Sequence, residues 1–249
     1  MGEENRREYR NGIHQCLFTI RRTLDNYKIR RKEFSSPFDA LKCSWLLAKF
    51  PPQCSDRKIE ERWVIERVDK EKINVLDIGA NQSPFPKKLT AMGFAVTIID
   101  TRPLQNQDNT ITIVCGDVRH TRFENESFDT ITAISVLEHI GVAGRYGIHD
   151  ADPYGDMRAL HEMKRILKNG GEIFITVPYG KKNVLPINRC YNKKMTEKLF
   201  QNFDIVEQEF KVLGKDLVWH TVEERIAANV NWYFSPWYAL AFFRLKKNK

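Results

Sequence analysis

Three carboxylates and a histidine stand where chemistry could be done. Asp77 sits in the apolar run Val75–Ile78, and Gly79-Ala80-Asn81-Gln82-Ser83-Pro84 follows. Asp100 closes a second apolar run, Phe94 to Ile99. It lies about 20 residues beyond the glycine turn, the spacing expected of a ribose-binding acid. Gly116-Asp117-Val118 ends a third run, and Ser135-Val-Leu-Glu138-His139 follows a fourth. Acids at successive strand ends accept hydrogen bonds from hydroxyl and amino groups. The imidazole can take a proton near neutral pH. A nucleotide-like ligand should therefore lie across the strand ends.

Elements that could position these residues are visible in the hydrophobic rhythm. Strands are expected at Ile73–Ile78, Phe94–Asp100, Ile111–Gly116, Phe128–Ser135 and Glu172–Val177, with helices around Phe85–Met92 and Tyr154–Leu167. Asp152 would cap the second helix, Pro153 would open it and Gly170 would mark its exit. This alternation predicts a parallel sheet with helices on both faces. Beyond Pro178, a helix over Asn192–Phe200 and strands over Phe203–Leu213 and Trp237–Leu245 are expected, with a helical insertion at Val222–Asn231. Two late strands without a crossover helix suggest an antiparallel pair at the sheet edge. Before residue 70 the pattern is helical, broken at Ser36-Pro37 and Pro51-Pro52, with a segment over Lys58–Val68. Such a preface suits a lid or a helical pack against the sheet.

The chain of 249 residues is 42% hydrophobic and 29% charged, which fits a globular protein. No secretory leader or membrane-spanning apolar run is read, and the five scattered cysteines form no CxxC pair. A cytoplasmic location with reduced thiols is expected. The net charge of +8 is spread along the chain, so a solvated basic surface is favoured over a nucleic-acid face.

In order, the signals are Asp77-Ile-Gly79, Asp100, Gly116-Asp117, Ser135-Val-Leu-Glu138-His139 and Lys168-Asn-Gly170-Gly171. The set resembles class I S-adenosylmethionine-dependent methyltransferases over roughly Val75 to Val177. That likeness implies a Rossmann-like α/β sheet, mostly parallel with an antiparallel edge strand, in a domain spanning 71–249 behind a helical extension spanning 1–70. It implies S-adenosylmethionine as cofactor and S-adenosylhomocysteine as product. Carried to matching positions, Asp77 and Gly79 would hold the turn at the cofactor, and Asp100 would accept from both ribose hydroxyls. Asp117 would accept from the adenine amino group, and Val118 would offer its amide. Asn81 and Ser83 stand where the family has two more glycines, and Ser135 borders the same cleft. Asn81 tolerates unusual backbone angles and Ser83 is small, so the turn can still form.

The stretch from Glu138-His139-Ile140-Gly141 through Gly144-Arg145-Tyr146-Gly147 to Asp152-Pro-Tyr-Gly155-Asp156 is similar to an uncharacterised methyltransferase-like family with EHIG, RYGD-like and DPxGD segments. Ile148 departs from that pattern. His139 is the expected general base, or else a packed turn residue. Glu138, Arg145, Tyr146, His149 and Arg189 are the expected substrate contacts, and Arg145 could instead pair with Asp152 or Asp156. His149, Asp150, Asp152 and Asp156 would also suit a metal, but capping explains Asp152 and no metal is expected. Trp232, Tyr233, Phe234, Trp237 and Tyr238 fit a core or a stacking surface.

The expected activity is methyl transfer to oxygen, less readily nitrogen, of a small molecule or saccharide. An RNA methyltransferase is the alternative prompted by the charge. A non-catalytic nucleotide-binding or partner module is the alternative prompted by Asn81 and Ser83. The absence of an Asn-Pro-Pro-Tyr-like segment after the fourth strand argues against base N-methylation.

Overall fold

The computed structural model describes residues 56–80, 83–103, 109–142, 151–181, 183–185, 188–214, 216, 218–230 and 239–248. Asp56–Lys215 and Trp219–Lys249 make one compact unit. Its elements, in chain order, begin with α1 (Asp56–Ile65), β1 (Asn74–Ile78), α2 (Phe85–Ala91), β2 (Ala95–Asp100), β3 (Ile111–Cys115) and β4 (Phe128–Ile134). A 3-10 turn (Leu137–His139), α3 (Gly155–Ile166), β5 (Leu167–Pro178), β6 (Asn183–Leu185) and β7 (Asn188–Cys190) follow. The chain closes with α4 (Lys193–Leu199), β8 (Phe203–Leu213), β9 (Trp219–Val222), α5 (Glu224–Ala227) and β10 (Ala239–Lys247).

The main sheet has the order β3-β2-β1-β4-β5-β10-β8-β9. β1 to β5 are parallel to one another, whereas β10, β8 and β9 join antiparallel. This is the Rossmann-like α/β sheet expected from the alternation. The antiparallel part is larger than expected: β10 lies between β5 and β8, and β9 forms the edge. β9 is four residues long and half-exposed, so it lacks the apolar run by which a strand announces itself.

Period-two alternation sorts the core. Leu76, Ile78, Ile131, Ile173 and Ile175 face one cluster with Leu160, Met163 and Ile166 of α3 and Leu199 of α4. Val75, Val96, Ile98, Phe174 and Phe242 face the other, with Trp63 and Val64 of α1 and Phe85 and Leu89 of α2. Helices therefore cover both faces. Trp63 stacks edge-on against Phe174 at 5.9 Å and tilts over Phe242 at 5.5 Å. The segment read from its sequence with the preceding helices thus packs directly on the sheet.

Two expected signals act differently. α3 starts at Gly155, after Asp152 and Pro153, and Asp152 Oδ1 accepts the Tyr154 amide in a turn ahead of the helix at 3.1 Å. Gly170 (φ +75°) is not the helix exit, because α3 ends at Ile166. It sits where β5 bulges between Leu167, opposite Phe128, and Glu172, opposite Thr130. By contrast, Asn192 caps α4, accepting the Met195 amide at 3.0 Å, and β8 spans Phe203–Leu213 as expected.

Candidate functional site

The strand order reverses between β1 and β4, and ligands of open α/β sheets settle at the carboxyl ends beside such a reversal. At that point β1 turns through Gly79, whose φ of +72° suits glycine. A Cβ there would come within 2.6 Å of Val136 Cγ2. The Gly79 amide still donates to Ile99 O at 2.9 Å, so the turn remains tied to β2.

The register brings the three aspartates to one edge of the sheet. Asp77 pairs with Ile98, two residues before Asp100, and Asp100 pairs with Cys115, two before Asp117. Their environments differ. Asp77 is 3% exposed and accepts from Thr132 Oγ1 at 2.6 Å. Desolvation raises its pKa to about 7, against the hydrogen bond from Thr132 and the nearby Arg57 charge.

Asp100 and Asp117 share a local device, Asp-x-Arg. Asp100 Oδ1 accepts the Arg102 amide at 2.9 Å, and the guanidinium closes over both carboxylate oxygens at 3.0 and 2.9 Å. Asp117 repeats the pattern with the Arg119 amide at 2.8 Å and Nη2 at 2.6 Å. Burial would raise the Asp117 pKa, but Arg119 lowers it overall. A carboxylate offers about four acceptor sites. Arg102 already takes three of those on Asp100, so the expectation that this acid receives both ribose hydroxyls requires Arg102 to move. Val118 is buried beside this turn. The repeated Asp-x-Arg is visible in the sequence and would have revealed both pairs.

α1 contributes residues that the sequence reading did not single out. Arg57 Nη1 donates to Ile134 O, at the end of β4, at 2.8 Å. Glu60 Oε1 accepts from Ser135 Oγ at 2.5 Å and Thr176 Oγ1 at 2.7 Å. Glu61 accepts from Ser83 Oγ at 3.2 Å and Lys88 Nζ at 2.6 Å. One face of a single helix thus ties down the carboxyl ends of β4 and β5 and the turn after β1. The i, i+3, i+4 spacing of 57, 60 and 61 was the available signal. Glu60 is 1% exposed, and its Oε2 has no hydrogen-bond partner among the described residues. Desolvation raises its pKa to about 7, helped by the Asp56 charge and opposed by Arg57.

Ser135 is held at φ +47°, a conformation costly for a residue with a Cβ, by about 1–3 kcal/mol. Its amide donates to Thr176 O and Oγ1 at 3.1 and 3.0 Å. Such over-determined backbone clusters at functional sites. The 3-10 turn that follows carries Glu138 and His139, with His139 Nε2 3.6 Å from Glu138 Oε1. Both are largely buried, which places the Glu138 carboxylate, an expected substrate contact, beside the imidazole.

Arg189 is also used differently from its expected substrate contact. It is 7% exposed. Its guanidinium donates to Ile140 O at 2.5 Å and Asp152 O at 3.0 Å, and Nε lies 3.9 Å from Asp156. The Tyr191 hydroxyl also donates to Asp156, at 2.9 Å. These contacts close the neck of the 141–155 segment, where the Asp152 amide donates to Gly141 O at 2.8 Å. Asp152 Oδ2 pairs with Arg119 at 2.8 Å and Arg158 at 3.2 Å. Among the described residues, the cations on Asp152 and Asp156 are Arg119, Arg158 and Arg189. Asn81, Arg145, Tyr146, His149, Asp150 and the aromatic group from Trp232 to Tyr238 lie outside the described residues, as do 1–55. Among the described residues, no three His, Cys, Asp or Glu side chains are grouped to hold a metal, and no helix is long and apolar enough to cross a membrane.

A doubly wound sheet with its ligand edge at β1 and β4 defines the class of fold. Comparison with known proteins agrees at that level. A family model described as a Caenorhabditis protein of unknown function, DUF268, matches residues 94–215, just under half of the chain. An uncharacterised protein of Methanocaldococcus jannaschii is 25% identical over 99 residues, 40% of this chain and 33% of that one. The chain thus spans about a third of the length of the curated relative it matches. Among solved structures, a 1,6-didemethyltoxoflavin-N1-methyltransferase of Burkholderia thailandensis, with 1,6-didemethyltoxoflavin and S-adenosylhomocysteine bound, aligns at TM-score 0.53 and 15% identity. The alignment covers 87% of this chain and 92% of that one. A SAM-dependent methyltransferase of Methanosarcina mazei aligns at 0.51 and 14% identity, over 75% and 98%. The cyclase SpnF aligns at 0.52 and 15% identity, over 75% and 80%. These likenesses establish the Rossmann-like methyltransferase fold.

Proposed function

We propose that the chain is an S-adenosylmethionine-dependent methyltransferase acting on a small molecule or saccharide, with oxygen favoured over nitrogen as the methyl acceptor. The observation that carries the reading is the set of strand-end acids brought to one sheet edge beside the Gly79 turn. The site's chemistry fits an adenosyl amino acid. Gly79 leaves the backbone bare where a side chain would strike Val136, and the acids provide acceptors for hydroxyl and amino groups.

In this reading Asp100 and Asp117 bind the ribose and adenine, and the amides at Gly79 and Val118 approach the same ligand. Ser83 and Ser135 border the same ligand, and Asn81 is proposed as a further contact. Arg102 swings aside as the ribose arrives. The bound donor supplies an activated methyl group on a sulfonium. The chain's part is to align the acceptor, exclude water and remove a proton. His139 takes that proton, and the Glu138 carboxylate beneath it stabilises the imidazolium that results. Arg189 and Tyr191 act as positioning residues by fixing the neck of the segment that carries Arg145, Tyr146 and His149, the proposed acceptor contacts. The proposed setting is cytoplasmic.

Isothermal titration with S-adenosylhomocysteine tests the reading: binding at micromolar concentration is expected, and no binding would overturn it. One observation favours a second reading, a non-catalytic partner module. The arginines on Asp100 and Asp117 occupy acceptor positions that a ribose and an adenine would use. Methyl transfer from radiolabelled donor to any of a panel of hydroxylated small molecules, abolished by His139→Ala, would exclude it.

A further inference from the structure

One guanidinium joins the end of β3 to the neck of the 141–155 segment. The Arg119 amide donates to Asp117 Oδ1 at 2.8 Å, Nε reaches both carboxylate oxygens at 3.1 and 3.0 Å, and Nη2 donates to Oδ2 at 2.6 Å. Those contacts fill the roughly four acceptor positions of the Asp117 carboxylate. The remaining arm, Nη1, donates to Asp152 Oδ2 at 2.8 Å. A ligand amino group can therefore take Asp117 only as Arg119 withdraws, and Asp152 is the acid to which the guanidinium is already tethered. Asp152 Oδ1 accepts only the Tyr154 amide among the described residues, so a second arm of Arg119 can close a bidentate fork there. Asp152 is in turn linked to the turn that carries His139. Its amide donates to Gly141 O at 2.8 Å, and the Val142 amide donates to His139 O at 3.1 Å. The neck is tight, since a Cβ on Gly155 would come within 2.9 Å of Gly141 Cα. A change in how Asp152 is held therefore passes to the His139 turn.

We propose that Arg119 is a positioning residue that couples the ends of the site: as a ligand's amino group takes Asp117, the guanidinium transfers to Asp152 and fixes the neck and the His139 turn. This rests on the methyltransferase reading, in which the adenine of the donor brings that amino group. The base is then set only once the donor is in place. By linkage, whatever fixes the neck also favours the donor.

S-adenosylhomocysteine is the probe, read by amide hydrogen exchange and by titration calorimetry. In the wild type, saturating probe should slow exchange of the Val142 and Asp152 amides at least fivefold. Arg119→Gln frees Asp117 and should bind the probe at least threefold more tightly, with that slowing lost. Asp152→Asn removes the receiving charge and should weaken the probe at least threefold. In the Arg119→Gln background the same Asp152→Asn change should alter affinity by less than twofold, which a merely structural aspartate would not do. The proposal is overturned, while the methyltransferase reading stands, if the wild type binds the probe without slowing those amides. It is equally overturned if Arg119→Gln weakens binding, or if Asp152→Asn weakens it to the same extent with and without Arg119. The wild-type exchange gives its answer even where a variant fails to fold. A wild type that binds no S-adenosylhomocysteine refutes the reading itself, and the proposal with it.

Discussion

Two groups of acids in this protein have opposite electrostatics. Under α1, Glu60 and Asp77 are buried, share the Arg57 guanidinium and have pKa values raised to about 7 by desolvation. On the β3 and α3 side, every one of three acids is paired with arginine: Asp117 with Arg119, Asp152 with Arg119 and Arg158, Glu162 with Arg165. There the pKa values fall, that of Glu162 to about 2, led by the Arg165 hydrogen bond and helped by Thr121. The second arrangement stabilises the fold at neutral pH. The first weakens it, and a buried region that weakens a fold is where a ligand is expected.

The largest test of this contrast removes that guanidinium. Arg57→Ala should destabilise the protein by about 3 kcal/mol at pH 8, because buried carboxylates lose their counter-charge. At pH 5.5 the loss should shrink, since Glu60 and Asp77 then carry protons. Urea unfolding at the two pH values measures it, and an equal loss at both would break the comparison.

Next in size is the pH profile of the wild type. An acid whose pKa is higher folded than unfolded contributes stability that is present below its unfolded pKa and lost as pH rises through its folded pKa. Glu60 and Asp77 should therefore lower stability by about 1–3 kcal/mol between pH 5 and pH 8. The double variant Glu60→Gln with Asp77→Asn should flatten that fall and be the more stable protein at pH 8. A steeper profile in the variant would refute the assignment.

Glu162 predicts the reverse sign. Its contribution is present above about pH 4.5 and lost as pH falls towards 2, so Glu162→Gln should cost about 1–2 kcal/mol at pH 7 and little at pH 3. Thermal melts across that range decide it. The smallest effect is expected at the boundary between the two groups. Arg102→Ala frees acceptor sites on Asp100 and should tighten S-adenosylhomocysteine roughly threefold, less than 1 kcal/mol. A loss of binding would mean that Arg102 itself contacts the ligand.

Much of this was legible in the chain. Val75–Ile78 and Phe94–Asp100 are apolar runs whose burial is local in origin, so their strands and the carboxyl edge they share could be read directly. Gly79 could be assigned to a turn because a strand ends there and a helix follows. β9 was not legible, since its half-exposed residues borrow their conformation from β8. Nor was the role of Arg189, an exposed-seeming basic residue in a loop that turns out to donate to two carbonyls of another segment.

What the sequence determined by itself is the order and edge of the strand-end acids, because period-two burial and a glycine turn act within a few residues. Only the tertiary structure decided how the buried acids Glu60 and Asp77 are balanced, whereas the arginines of Asp100 and Asp117 stand two residues along the chain. Arg57 meets Ile134 and Glu60 meets Thr176 across separations of 77 and 116 residues. Pairing over such distances depends on how α1 lies against the sheet, and the charge state of Glu60 and Asp77 follows from that packing.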